Sequence, residues 1–152
     1  MIQRIQSIWF FLAAICLLLL LVIPLVSQAY STTNLSLFIS GIHHNVDGKS
    51  IQAEPFTGLL AGSIGVALLA LVTIFLFRNR TLQKRIATVV ILLIVALCGW
   101  IFQIIQQLEG GLAGVKVEPG VALPVLAILF MGLGIRAINK DEQLIRSADR
   151  LR

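Results

Sequence analysis

The stretch VTIFLFRNRTLQKRIATVVILL, residues 72–93, places four basic side chains between two apolar runs. The runs extend outward over residues 56–77 and 86–105 without meeting an ionised side chain. About 20 helical residues cross the roughly 30 Å hydrocarbon core of a bilayer, so each run is long enough to span a membrane. Because the connection between them is short, we expect two antiparallel neighbouring helices.

Two further apolar segments cover residues 8–26 and 119–138. Arg136 lies near the end of the second, where a long side chain can reach the headgroups. Charged residues make up 12% of the chain, against roughly 25% in soluble domains. The sequence therefore predicts an all-α membrane protein: one domain, residues 1–152, forming a bundle of four transmembrane helices with an outer loop at 27–55 and a tail at 139–152.

The first segment also resembles a signal peptide, because Ser27-Gln28-Ala29 has the small-x-small pattern of a cleavage site. Its apolar run of 19 residues is longer than the roughly 7–15 residues of a signal peptide's apolar region. We expect the segment to be retained as the first span.

The basic residues fall mainly on one side of the predicted membrane. Ten lie near the two termini and the second loop, and only Lys49 and Lys116 lie on the other side. The positive-inside rule then puts both termini in the cytoplasm and predicts attraction to anionic lipid headgroups there. The basic side chains nearest the span ends are Arg4, Arg78, Arg80, Lys84, Arg85, Arg136 and Lys140. Nucleic-acid binding is not expected, because no basic groove carries interleaved aromatic residues.

The outer loop predicts a short β-hairpin. LSLFISGI (35–42) and SIQAE (50–54) flank the Asp47-Gly48 turn signal. His43, His44 and Asp47 are metal-ligand residue types, but adjacent strand residues point to opposite faces. An ordinary polar loop is therefore favoured over a metal site.

Small residues follow one stripe of the second span, at Gly58, Gly62 and Gly65. Such stripes allow close approach between membrane helices, so we expect packing within the bundle or, alternatively, a face for a homo-oligomer or partner protein.

Polar residues near the outer end of the third span have two interpretations. Gln103, Gln106 and Gln107 recur at helical spacing beside Trp100. They could line a pocket between helices, or they could anchor the helix at the membrane interface as aromatic residues do.

Catalysis has little support in the sequence. No predicted span carries a charged residue or histidine near its middle, which proton relays and ion-coupled carriers need. Cys16 and Cys98 both fall in predicted spans, where apolar packing is the expected role. We expect a non-enzymatic protein without a cofactor.

The charged tail has an apolar stripe that only Asp141 interrupts, and Glu142 and Arg146 form a favourable helical pair. A continuous helix from Pro124 to Leu151 would run about 40 Å and leave the membrane as an amphipathic cytoplasmic extension. The tail is either a docking surface or a solvated extension. The apolar residues available for docking are Leu144, Ile145, Ala148 and Leu151.

The two ends of the chain, MIQRIQSIWFFLAAI and RAINKDEQLIRSADRLR, resemble a family of small four-span inner-membrane proteins of Bacteroidetes that is described as a domain of unknown function. The resemblance implies a helical protein of the bacterial inner membrane and supplies no catalytic residues.

Taken together, these features predict an accessory, scaffold or assembly subunit that acts through protein or lipid contacts, with the outer hairpin and the tail as surfaces. The alternative is a membrane protein that handles a small molecule or lipid in a pocket near Gln103 and Gln106.

Overall fold

Four helices make up most of the chain in the computed structural model, which describes residues 3–29, 34–46, 49–107 and 116–149. The helices are α1 (Gln3–Leu19), α2 (Thr57–Phe75), α3 (Arg80–Gln107) and α4 (Ala122–Asp149). Single turns of 3-10 helix, Leu76–Arg78 and Pro119–Val121, follow α2 and precede α4.

Each helix packs mainly on two others. α1 packs on α4 and α2, α2 packs on α3, and α3 packs on α4. The side chains between them are almost entirely aliphatic, and Phe10 is the one fully buried aromatic ring among the residues whose burial is described. Small residues such as Ala67 and Ala87 are fully buried, which is how membrane helices come close without a hydrophobic driving force.

A five-stranded antiparallel sheet lies at one end of the helices, hereafter the sheet end. Its spatial order is β4-β3-β2-β1-β5. The strands are β1 (Val26–Ala29), β2 (Asn34–Phe38), β3 (Gly41–Val46), β4 (Lys49–Pro55) and β5 (Lys116–Val117). The opposite end, where α2 meets α3 around Asn79, is called the basic end.

The first apolar segment is not a single helix over residues 8–26, as the sequence predicted. α1 ends at Leu19, a turn follows, and Val26 already belongs to β1. Leu25 and Val26 are nevertheless buried, because Val26 lies on β1, Leu25 directly precedes it, and both side chains belong to the hydrophobic core. Hydropathy alone does not distinguish these two apolar environments.

The outer loop holds more strands than the predicted hairpin. The predicted first strand, 35–42, is divided between β2 and β3 by a tight turn at Ile39 and Ser40. Gly41 follows this turn with a φ of 143°, a conformation that other residues rarely adopt. β3 and β4 do pair around residues 47–48 as predicted; the turn itself lies outside the described residues.

Backbone hydrogen bonds attach the sheet to the helices. The Leu25 N–H donates to the Leu37 carbonyl at 2.8 Å, and the Glu118 N–H donates to the Leu25 carbonyl at 3.0 Å. Gly120, at the start of the α4 region, donates to the Pro24 carbonyl. A Cβ on Gly120 would lie 2.3 Å from that carbonyl oxygen, so only glycine fits there. The turn after α1 and the start of α4 therefore meet directly under the sheet.

The connection between α2 and α3 is short, as predicted, and consists of one 3-10 turn and Asn79. α4 also continues without a break as far as Asp149, which confirms that the tail extends the fourth helix.

Candidate functional surfaces

In the part of the chain that the structure describes, three helical segments are long and apolar enough to cross a membrane: Thr57–Arg78, Arg80–Gln107 and Pro119–Leu144. Large apolar side chains lie exposed along them, including Leu68, Leu92 and Leu129. Exposed apolar surface of this extent is typical of contact with lipid rather than with water. α1 is apolar as well, but its stretch Gln6–Leu19 is shorter.

A chain of hydrogen bonds crosses the interior at the basic end. The Gln6 Nε2 donates to the Oε1 of Gln83, and the Gln83 Nε2 donates to the Thr73 carbonyl at 2.9 Å. All three residues are buried. The Thr73 carbonyl lies in the last turn of α2, where carbonyls lack helical partners, so the Gln83 amide caps α2 while holding α1. The sequence did not indicate this cluster, because Gln83 precedes Lys84 and Gln6 lies two residues after Arg4, so both glutamines look like surface positions.

Ion pairs join the start of α3 to the extension of α4. The Arg80 guanidinium lies 2.7 Å from the Asp141 carboxylate, and the Lys84 ammonium lies 2.8 Å from the Glu142 carboxylate. Lys84 also donates to the Asn139 side chain. The aspartate that interrupts the apolar stripe of the tail is therefore the partner of a basic residue from the second loop. Two residues predicted as charge anchors for the membrane, Arg80 and Lys84, form these internal contacts.

The other predicted charge anchors lie at the surface. Arg78, Arg85, Arg136 and Lys140 are exposed, whereas the Arg4 side chain lies outside the described residues. Exposed Phe75 and Phe77 stand next to Arg78. Apolar rings beside cationic side chains suit the boundary between hydrocarbon and headgroups.

Of the four predicted docking residues in the tail, Leu144 is the one whose side chain the structure describes. Leu144 is 49% exposed on the extension of α4. The side chains of Ile145 and Ala148 and the whole of Leu151 lie outside the described residues.

The three stripe glycines of α2 have different surroundings. A Cβ on Gly58 would meet the Trp100 ring at 3.3 Å, and one on Gly62 would meet Leu97 at 3.5 Å. Both residues thus lie against α3, within the chain. A Cβ on Gly65 would meet nothing within 4 Å.

Two of the apolar cavities among the described residues lie between helices. One of about 130 Å³ lies between α3, Leu25 and the start of α4. The other, of about 340 Å³, lies between α2 and α3 and is called the α2–α3 groove. The groove is lined by Gly62, Gly65, Val66, Leu69, Leu93, Ala96, Leu97 and Trp100. Gln103, Gln106 and Gln107 are exposed, and none of them lines either cavity.

The two histidines, His43 and His44, are consecutive residues of β3. The His43 ring packs edge-on against Phe38, and its Nε2 lies 3.2 Å from the Ser40 hydroxyl. Asp47 lies outside the described residues, and no group of three metal-ligating side chains occurs in the part of the chain that the structure describes. The contacts of His43 are those of a residue that stabilises the β2–β3 turn.

The Ser27-Gln28-Ala29 motif lies inside the sheet. These residues form β1 and pair with β2, and the Ser27 hydroxyl donates to the Glu118 carboxylate at 2.7 Å. Cys16 is buried in α1, and Cys98 is half-buried in α3.

The fold thus defines a mostly helical membrane protein with a small antiparallel sheet. The chain belongs to the family of the domain of unknown function DUF4293, whose model matches residues 2–151. This match confirms the resemblance of its ends to an uncharacterised family. No curated protein and no solved structure matches the chain.

Proposed function

We propose that this chain is a non-enzymatic accessory subunit of the bacterial cytoplasmic membrane that crosses the membrane four times. Both termini and the α2–α3 connection lie in the cytoplasm, and the sheet lies outside. In this arrangement the extension of α4 docks a protein partner, and the exposed basic side chains contact anionic headgroups.

The contacts made by the start of α1 and by the turn that follows α1 support a fourth span. Gln6 meets Gln83 at the basic end, and Pro24 meets Gly120 at the sheet end. The segment between them therefore covers the same distance as the neighbouring spans, although its last part is a turn rather than a helix. The backbone N–H groups of residues 20–23 donate to carbonyls in the last turn of α1, so these donors are paired within the segment as a membrane requires.

The docking proposal depends on one observation, which is that contacts with α3 hold the α4 extension in a fixed direction. A solvated tail needs no internal attachment, yet two ion pairs fasten this one to α3. The Asp141 carboxylate is only 13% exposed in its pair. The attachment holds Leu144 at the surface next to the membrane boundary, where a partner could cover it.

Truncation after Asn139 and the substitution Leu144→Glu test this proposal. Both should remove co-purifying partner proteins from the full-length tagged protein extracted from native membranes, as mass spectrometry would show. A charge buried in an apolar contact costs up to several kcal/mol, whereas the same charge in water costs nothing.

Gln143→Glu is the matched control for Leu144→Glu, because Gln143 is exposed on the same turn and already polar. It should leave the set of partners unchanged. If the truncated protein and the Leu144→Glu protein are both as abundant as the wild type and keep all its partners, the tail is a solvated extension and the proposal is wrong.

The alternative function, a pocket near Gln103 and Gln106, has weaker support. Both amides lie at the surface, and the two cavities described above are lined by apolar residues at other positions.

A further inference from the structure

The α2–α3 groove opens on the outside of the helices, in the part of α2 and α3 that is apolar enough to lie in hydrocarbon. Exposed Leu69, Leu93 and Trp100 form its rim. The two helices are in contact near Trp100, where Gly58 and Gly62 let them approach. At Gly65 no atom lies within 4 Å of the position that a Cβ would take, so the groove is open beside this residue.

We propose that the α2–α3 groove binds one acyl chain of a phospholipid. This inference rests on the location of the helices in a membrane and is independent of the docking role of the tail. A groove left empty would deprive its lining of dispersion contacts on one side, so the surrounding solvent fills it. In a bilayer that solvent is hydrocarbon.

The dimensions of the groove favour an acyl chain over another helix. The lining on α2 runs from Gly62 to Leu69, which is roughly 10 Å along a helix. A helix of a second copy is itself about 10–12 Å wide with its side chains and could insert only single residues between two touching helices. An apolar cavity of about 150 Å³ already binds a benzene molecule. The groove has more than twice that volume, which suits a segment of flexible hydrocarbon.

The position of Trp100 indicates how the lipid is oriented. This residue lies toward the sheet end of α3, where an indole ring is typical of the membrane interface, and it forms one end of the groove. The rest of the lining extends toward the middle of α2 and α3. The headgroup should therefore lie near Trp100, with the chain running along Gly65 into the membrane.

Gly65→Leu should fill the groove without disturbing the fold, because no atom lies within 4 Å of a Cβ at this position. Gly99→Leu is the matched control: Gly99 is exposed on α3, has the same free space and does not line the groove. Thermal unfolding of both purified variants should resemble that of the wild type.

Native mass spectrometry of the full chain, extracted in a mild detergent, measures the retained lipid. We expect one phospholipid per chain on the wild type and on Gly99→Leu, and loss of this species from Gly65→Leu. Equal retention by wild type and Gly65→Leu, or no retained phospholipid on the wild type, would overturn the proposal. So would a wild-type dimer that Gly65→Leu converts to a monomer, because a second copy would then be the occupant.

Trp100 provides a second measurement. The chain has two tryptophans, and Trp9 stacks on Phe130 away from the groove. In a Trp9→Phe background, phospholipids with brominated chains should quench Trp100 less in Gly65→Leu than in Gly99→Leu. Equal quenching in the two variants would contradict occupancy of the groove by a chain.

Discussion

Individual uncharged residues, both glycines and buried glutamines, determine how closely the helices of this protein pack. Glycines allow contacts that any larger residue would prevent, as Gly120 does against Pro24. Buried amides do the opposite, because Gln83 needs partners on both sides to remain inside. The sequence indicated the small-residue stripe of α2 but not these positions, since the identity of a neighbour across a helix interface is not encoded locally.

Gly134 and Gly132 offer a matched test of close packing in α4. A Cβ on Gly134 would lie 2.6 Å from the ring of Phe10, which is fully buried, whereas a Cβ on Gly132 would meet nothing within 4 Å. Gly134→Ala should therefore destabilise the protein by about 1–3 kcal/mol through overpacking. Gly132→Ala should be neutral or stabilising by up to about 1 kcal/mol, from helix propensity. Unfolding by titration with SDS measures both, and equal stabilities would show that α1 and α4 are not packed as described.

Replacing Gln83 by leucine tests the buried hydrogen-bond chain. The substitution leaves the Gln6 amide and the Thr73 carbonyl without this partner, which should cost about 1–3 kcal/mol of unfolding free energy. Gln103→Leu, an exposed glutamine on the same helix, should change stability by less than about 0.5 kcal/mol. If the same SDS titration finds the two variants equally stable, the Gln83 side chain makes no net contribution.

At the scale of elements, the helices were predictable and the sheet was only partly so. A hydropathy profile detects membrane-spanning helices because their residues face one apolar solvent. The helices α2, α3 and α4 accordingly lie close to the predicted segments. β1 and β5 were missed because their pairing joins residues about ninety positions apart, Ser27 and Lys116. The side chain of Val26 belongs to an apolar run in the sequence, and this run looks the same whether the residue faces lipid or lies on a strand against the core. Strand pairing of this kind depends on tertiary contacts that no local pattern records.

The attachment of the α4 extension to α3 should appear as a coupling energy between Arg80 and Asp141. The pair is partly buried at 2.7 Å, so the coupling should approach about 1 kcal/mol, the upper part of the range for such pairs. A double-mutant cycle with Arg80→Ala and Asp141→Ala measures it. The control cycle pairs Arg85→Ala with Asp141→Ala, since Arg85 is exposed on the same helix, and should give a coupling near zero. Equal couplings in both cycles would mean that the tail is not held by this contact.

For the whole molecule, the basic residues in the sequence and the ion pairs in the structure are concentrated at the same end of the helices. Both ion pairs described above lie at the basic end. The sheet lies at the other end, where Lys49 and Lys116 are the only lysine or arginine residues in the sequence. Ten basic residues against two is a strong asymmetry for a chain of 152 residues. The internal pairing of Arg80 and Lys84 leaves Arg78, Arg85, Arg136 and Lys140 exposed, which is still a clear excess over the sheet end.

We therefore expect the basic end in the cytoplasm, and single cysteines should show this by labelling. In a background with Cys16 and Cys98 replaced by alanine, Thr81→Cys reports on the basic end and Val117→Cys on the sheet end. Both positions are exposed. A membrane-impermeant maleimide added to intact spheroplasts should label Val117→Cys and should reach Thr81→Cys only after permeabilisation, because the positive-inside rule retains the basic side in the cytoplasm. The reverse pattern would place the α2–α3 connection outside and invert the orientation. Labelling of both positions in sealed spheroplasts would show that the two ends are not separated by the membrane, and the transmembrane arrangement itself would be wrong.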